Sequence, residues 1–240
     1  MSLRLIKKRV EFARLQLSSG IDWEKAVIIS DESRFKLHDD SRRVWVKRGV
    51  YNPGTFRGKE KFSKGIMVWG AIGHGWRSPL IIIRGRLNSE GYIDLLKENS
   101  IIEKLNRLFG EKNFHFQQDG ASPHRAKATT AYLNPKVNMI EDWPPNSPDC
   151  SCIENLWGIL KRRVAERDPQ SIDDLIKVLQ DEWSAIDQQV IDKLLASTPE
   201  RFRLVLEEEG KSINHRLKDI SKRQSESCAL ITSSTTSSPI

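Results

Sequence analysis

Apolar positions along the chain follow two different periods. Leu3, Ile6, Val10, Ala13 and Leu17 recur at alternating steps of three and four, which places them on one face of an opening helix. Ala26-Val27-Ile28-Ile29 is instead short, continuous and β-branched, and it stops at Ser30-Asp31-Glu32-Ser33, predicting a buried strand with Asp31 at its exit. Val44 to Val46 and Gly65 to Ile72 predict further strands, the second closed by a Gly73-His74-Gly75 turn, and Leu80 to Ile83 a fourth, so a meander of three to four strands is expected. Ser89 to Lys97 and Ile101 to Leu108 carry helical spacing, with Gly110 as a C-terminal stop. Phe114 to Asp119 alternates as a strand and then meets Gly120 and Pro123, so a second aspartate also sits at a strand exit.

Helical spacing resumes from Pro123 to Leu133, and Val137 to Ile140 predicts a short strand. Trp143-Pro144-Pro145-Asn146-Ser147-Pro148 is a rigid connection into a long helix. Ile153, Leu156 or Trp157, Leu160 and Val164 mark that helix's buried face, Lys161, Arg162 and Arg163 its wet face, and Glu154 lies in its first turn. Beyond Asp168 the pattern is wholly helical: Ile172 to Trp183, Val190 to Ala196, and Phe202 to Glu208 behind a Ser197-Thr198-Pro199-Glu200 capping signal. From about Ser221 the chain is rich in Ser and Thr with little to bury, and a disordered tail is expected. No internal repeat and no GxxxxGK phosphate loop is visible.

Composition narrows the class. The chain has 240 residues, 38% hydrophobic and 30% charged, which excludes collagen-like, mucin-like and wholly disordered proteins. Its longest apolar run falls well short of the ~18 residues of a membrane span, and no apolar segment follows the basic Met1 to Arg9 stretch, so neither a membrane protein nor a secretory signal is expected. Cys150, Cys152 and Cys228 are too few to build a disulfide framework, and Cys150-x-Cys152 has no second pair with which to form a zinc site.

A net charge of +7 points to a polyanionic partner, and its distribution says more than its total. Arg42, Arg43, Lys47, Arg48, Arg57, Lys59, Lys61 and Lys64 stand against one acid, Glu60, with Trp45, Tyr51, Phe56 and Phe62 between them. That mixture suits phosphate neutralisation and base stacking; a solvated hairpin with its aromatics in the core is the plainer alternative.

Hard divalent cations prefer carboxylate oxygens, and two-metal phosphoryl chemistry needs several carboxylates converging from rigid elements. Asp31, Asp119 and Glu154 meet that need: two leave strands and the third opens a helix. Each also has an ordinary reading, the aspartates as turn residues and Glu154 as the closing member of a Ser151-Cys152-Ile153-Glu154 capping box. His124, five residues after Asp119, is either a group near a scissile phosphate or a hydrogen-bonding cap. Trp143 and Trp157 suit the core better than base stacking.

Four segments in order carry a resemblance. Ser30-Asp31-Glu32-Ser33-Arg34-Phe35, Gln117-Gln118-Asp119-Gly120-Ala121-Ser122-Pro123-His124, Trp143-Pro144-x-x-Ser147-Pro148-Asp149 and Ile153-Glu154-Asn155-Leu156-Trp157 resemble the catalytic domain of mariner-superfamily transposases, and 34 residues separate the second and third acids, as in one large branch of that superfamily. The resemblance covers roughly Leu3 to Gly210. It implies an α/β, ribonuclease-H-like fold, a mixed central sheet flanked by helices with a C-terminal helical layer. Residues 1–24 would lead into a catalytic domain over 25–212, with a clamp-like insertion at 42–64 reaching DNA and a partner subunit, and 213–240 would form the tail. Asp31, Asp119 and Glu154 would ligate two Mg²⁺ ions, with Mn²⁺ able to substitute. The family cuts the terminal inverted repeats of its own element in double-stranded DNA and joins the freed 3′ ends to target DNA at TA, as a dimer on DNA. Nuclear residence is expected from that substrate and from basic clusters such as Lys7-Lys8-Arg9 and Lys161-Arg162-Arg163.

The chain departs from the pattern in three places. Cys150, Ser151 and Cys152 stand where the family usually has Leu-Asn-Pro, which removes the proline that presets the helix start, although Ser151 is able to cap it. Gly120 replaces the Asn usual after the second aspartate, a looser turn. The paired helix-turn-helix modules that recognise transposon ends are not expected in a chain that begins about thirty residues before Asp31. An active strand-transfer domain is the leading expectation, a catalytically idle or domesticated DNA-binding relic the alternative, and a ribonuclease H or other nuclease of the same fold the weakest.

Overall fold

In a computed structural model, the structure describes residues 1–37 and 64–217. The predicted strand at Val44 to Val46, the aromatics of that stretch, seven of the eight basic residues (Arg42, Arg43, Lys47, Arg48, Arg57, Lys59 and Lys61) and the tail from Ser221 lie outside the described residues. Lys64 lies inside them, its carbonyl accepting the Leu37 N–H at 2.8 Å.

The strands are β1 (Val27–Lys36), β2 (Gly65–Gly73), β3 (Trp76–Arg77), β4 (Ile81–Ile83), β5 (His115–Gln117) and β6 (Asn138–Met139). They form one mixed sheet in the order β3-β2-β1-β5-β6, with β4 also on β2. β1 and β2 are antiparallel from Ile29↔Ile72 to Lys36↔Gly65, whereas β5 lies parallel to β1 and β6 parallel to β5. The first strand is therefore longer than its apolar run predicts. Ser30 to Lys36 looks like an exit in sequence, but every residue of it pairs with β2, and cross-strand pairing outweighs weak local propensity. Asp31 consequently sits within the strand and not at its end.

Alternation along β1 divides the molecule. Val27, Ile29 and Phe35 enter a core shared with the C-terminal helices, and Ile28 enters a second core on the opposite face. The second face is covered by α2 (Ser89–Glu98), α3 (Ile101–Phe109), α4 (Ser122–Arg125) and α5 (Lys127–Leu133). The single helix predicted over Pro123 to Leu133 is broken at Ala126, whose backbone is extended (φ −61°, ψ 142°). That break leaves the His124 carbonyl to accept from Gln118 Nε2 at 3.3 Å.

The first face is covered by α1 (Leu3–Ser18), α6 (Ile153–Arg167), α7 (Ile172–Ser184), α8 (Gln188–Ala196) and α9 (Thr198–Glu207). Both Leu156 and Trp157 are buried on α6, with Ile153, Leu160 and Val164 as predicted. The buried face of α1 differs from the apolar stripe: Arg9, Phe12, Ala13 and Gln16 are inside, and Leu3 is 78% exposed. The reason is electrostatic. Arg9 donates to both oxygens of Asp149 at 2.8 Å and through Nε to the Gly210 carbonyl at 2.9 Å, so a fully paired guanidinium takes the place of a hydrophobe. Among the described residues no helix is long and apolar enough to cross a membrane.

Candidate active site

Asp31, Asp119 and Glu154 line one cleft of about 440 Å³, whose walls include Gln117, Trp143, Pro144, Pro145 and Ser151. Three elements distant in sequence deliver them: the middle of β1, the turn after β5 and the first turn of α6. The parallel β1–β5 pairing sets the first two side by side, and Ser30 Oγ fastens the strands by donating to the Gln117 carbonyl at 2.9 Å.

Asp31 is the most strongly perturbed of the three. Burial first, then the negative charges of Glu154 and Glu32, push its carboxyl up to about 7, while the indole of Trp157 donates from Nε1 to Oδ2 at 2.9 Å and works in the opposite direction. Glu154 and Trp157 are three residues apart on α6 and so share a helix face, which is why one helix supplies both a neighbouring charge and a donor to Asp31. Burial also raises Glu154, against the nearby Lys161. Trp157 is thus a core aromatic, as its sequence context suggests, and a hydrogen-bond donor to Asp31 as well. Its ring stacks on Trp183 at 5.3 Å, and the stack fits because Gly70, paired with Asp31 across the ladder, has no side chain there.

Asp119 is different. Oδ1 accepts from His124 Nδ1 at 2.7 Å and from the Ala121 N–H at 2.9 Å, and these bonds, the histidine foremost, hold its carboxyl below the ordinary carboxylate range. His124 is only 3% exposed, and its second nitrogen lies 3.2 Å from Glu32 Oε1. Burial lowers its pKa, but the bonds to Asp119 and Glu32 overcome that and raise it to about 10. His124 is not among the residues that line this cleft; it lines a neighbouring hollow of about 490 Å³ to which Asp119 also contributes. Glu32 is the residue that sequence reasoning misses; its only signal is strand alternation, which sends it to the face opposite Asp31.

The start of α6 is not the predicted capping box. The cap residue is Cys152, without a side-chain cap bond, and the helix is fastened from outside. Buried Arg201 donates to the Asp149 carbonyl at 3.0 Å, to Asn155 Oδ1 at 2.7 Å and to Ser197 Oγ at 3.1 Å. Two of these bonds, at Asp149 and Asn155, fall on either side of Glu154 in the chain. Cys150 and Cys152 are buried, and burial pushes the Cys150 thiol up to about 12, so both fill space as protonated thiols. Gly120 keeps a negative φ, and a Cβ there meets nothing nearer than 3.9 Å, so the glycine does not reshape the turn.

Among the described residues no three or more His, Cys, Asp or Glu side chains stand close enough together, as placed, to hold a metal ion between them. What the cleft offers is an open set of three carboxylates, and all-oxygen donors of this kind fit a hard divalent cation and not a soft one. Two of the three, Asp31 and Glu154, are raised, both chiefly by burial and Asp31 also by the neighbouring charges of Glu154 and Glu32, a condition that a bound cation relieves.

Residues 26–176 match the DDE superfamily endonuclease family. The chain is 32% identical over 213 residues to the Transposable element Tc3 transposase of Caenorhabditis elegans, covering 87% of this chain and 63% of that protein. It is 33% identical over 207 residues to the Transposable element Tcb2 transposase of Caenorhabditis briggsae, covering 84% and 75%. Its fold superposes on the Mos1 mariner paired end complex with Mn (TM-score 0.76, 20% identity, 88% of this chain and 64% of that chain) and on the catalytic domain of Mos1 mariner transposase (TM-score 0.69, 17% identity, 88% and 96%). The sheet is accordingly the ribonuclease-H-like one that the motifs imply. With three carboxylates in one cleft of that fold and with these relatives, the chain belongs to the DDE superfamily of endonucleases, in its Tc1/mariner transposase branch.

Proposed function

We propose that this chain is the catalytic core of a transposase that cuts double-stranded DNA at transposon ends and joins the 3′ ends to target DNA at TA. The single observation that supports it most is the convergence of Asp31, Asp119 and Glu154 on one cleft. These three would hold two Mg²⁺ ions, with Mn²⁺ as a substitute; divalent cations in such a site polarise the phosphoryl group and stabilise the attacking and leaving oxygens. The chain's own contribution is placement. Asp31 is oriented by Trp157, Asp119 by His124 and the Ala121 N–H, and Glu154 by the Arg201 clamp at the start of α6.

In the first reaction water attacks phosphorus, a P–O bond forms, the P–O3′ bond in line with it breaks, and a 3′-hydroxyl leaves with a proton. In the second that 3′-hydroxyl attacks a target phosphodiester in the same manner. No protein nucleophile is needed. The basic stretch from Arg42 to Lys64 would track DNA phosphates and bridge two subunits on DNA. The chain spans 63% of the length of the Tc3 relative. With such a substrate the protein would act in the nucleus.

Nicking of supercoiled plasmid in Mg²⁺ or Mn²⁺, compared with an Asp119→Ala variant, tests the proposal because it requires no specific end sequence. Activity that disappears with Asp119 supports it. Equal activity in both signals a contaminating nuclease, and silence in both, with DNA binding intact, favours an idle or domesticated DNA-binding protein.

A further inference from the structure

Glu32 is a fourth acid near the cleft that the metal reading leaves without a task. It leaves β1 on the face opposite Asp31, so it does not add a fourth oxygen to the three that line the cleft. It meets His124 Nε2 at 3.2 Å, and His124 Nδ1 meets Asp119 Oδ1 at 2.7 Å. The ring between them is almost wholly buried and lies against Tyr92, centroids 4.4 Å apart, while the Tyr92 hydroxyl donates to Gln118 Oε1 at 2.9 Å. Packing and hydrogen bonds therefore fix the imidazole at both nitrogens and on one face.

We infer that Glu32 and His124 are positioning residues that lock the Asp119 carboxylate in its rotamer and leave one oxygen for a cation. Oδ1 is committed to His124 and the Ala121 N–H, and Oδ2 has no hydrogen-bond donor among the described residues. Without Glu32 the imidazole keeps only one of its two anchors, and Asp119, whose side chain is about half exposed, gains freedom to turn away. Partners that orient a ligating carboxylate typically change metal affinity by roughly 10–100-fold. His124 thereby has a role that does not require it to touch the phosphate, and Glu32 acquires one through it.

This inference rests on the metal-site reading above, and the test separates the two. Mn²⁺ binding is measured by electron paramagnetic resonance on the wild-type chain, Asp119→Ala, Glu32→Ala and Glu32→Gln, with thermal melts of each. The expected result is that Glu32→Ala binds Mn²⁺ at least roughly tenfold more weakly, that nicking recovers at saturating Mn²⁺, and that Glu32→Gln, which keeps the acceptor for Nε2, restores most of the affinity. Wild-type affinity in Glu32→Ala overturns this inference and leaves the metal reading standing. A wild-type chain that binds no Mn²⁺, or one whose binding survives Asp119→Ala, overturns both. Should Glu32→Ala not fold, Glu32→Met, which fills the same space without an acceptor for Nε2, decides: Mn²⁺ binding roughly tenfold weaker is expected, and wild-type affinity overturns the inference.

Discussion

Trp157 donates its indole N–H to Asp31 Oδ2 at 2.9 Å, tying a core aromatic of α6 directly to a strand carboxylate in the cleft. A hydrogen bond to a charged group contributes about 1.5–3 kcal/mol, and besides this one the Asp31 carboxyl is bonded by the Glu32 backbone N–H. Trp157→Phe keeps most of the ring and removes the donor. Metal-dependent nicking is expected to fall by roughly tenfold or more, with a loss of only about 1–2 kcal/mol in urea unfolding. Nicking at the wild-type rate would show that Asp31 is oriented without the indole.

Gly70 makes that contact possible. A Cβ at this position would lie 2.9 Å from Trp157 Cη2 and 3.2 Å from Trp183 Cη2, inside the stack. Gly70→Ala is expected to destabilise the fold by about 1–3 kcal/mol through overpacking and to lower nicking further by displacing the indole. Urea denaturation and plasmid nicking measure the two effects separately. Gly75→Ala, by contrast, meets nothing within 4 Å, but it is strained by its φ of +65°, so its effect is expected on stability alone.

The Arg9–Asp149 pair joins α1 to the segment before α6. Arg9→Met leaves Asp149 buried and without its guanidinium, a change that typically costs about 3–5 kcal/mol. The pair also sets an acid limb. Asp149 is held below its ordinary 3.8, chiefly by Arg9 and the Ile213 N–H working against burial. A depressed carboxylate contributes stability that is fully present above the unfolded value and is lost as pH falls through the folded one. The wild-type melting temperature should therefore drop as pH falls below about 3.8, and Asp149→Asn, already destabilised, should drop less steeply over that window.

Charge reversal of Arg42, Arg43, Lys47 and Arg48 tests the basic stretch. If these residues meet phosphates, DNA affinity should fall and the slope of log affinity against log salt should become shallower by about 0.9 for each phosphate no longer neutralised. Fluorescence anisotropy at several salt concentrations reads both. Unchanged affinity would remove this stretch from the DNA-binding surface.

Much of the molecule is legible in its sequence, and the parts that are not have physical causes. Asp31, Asp119 and Glu154 stand out because the motifs that carry them follow one another in the order of a known family. Strand exits are harder to place: Ser30 to Lys36 has no intrinsic strand signature, and only its pairing with β2 makes it one. The buried face of α1 is hidden for a related reason, since a periodicity argument counts Arg9 as a wet residue and cannot know that Asp149 waits 140 residues later. Glu32 and the Trp157 donor are invisible in one dimension because their meaning depends on which face of the sheet each reaches. The Arg201 clamp belongs to the same class, a residue of the last described helix that bonds Asn155, the neighbour of the third acid.

The parallel seam between β1 and β5 also fixes when the three acids meet. Ser30 and the Gln117 carbonyl that it grips are 87 residues apart, so a chain emerging from the ribosome displays Asp31 long before the strand leading to Asp119 exists to be inserted beside it. Non-local parallel pairing of this kind is slow, because the loop must be closed before its pairing energy offsets the lost entropy. Glu154 arrives later still, and Arg201, which steadies its helix, comes from the last helix of the described fold. A fragment ending before that helix lacks the Arg201 bonds to the Asp149 carbonyl and to Asn155, so the order of synthesis leaves the start of α6 without this fastening until α9 has been made.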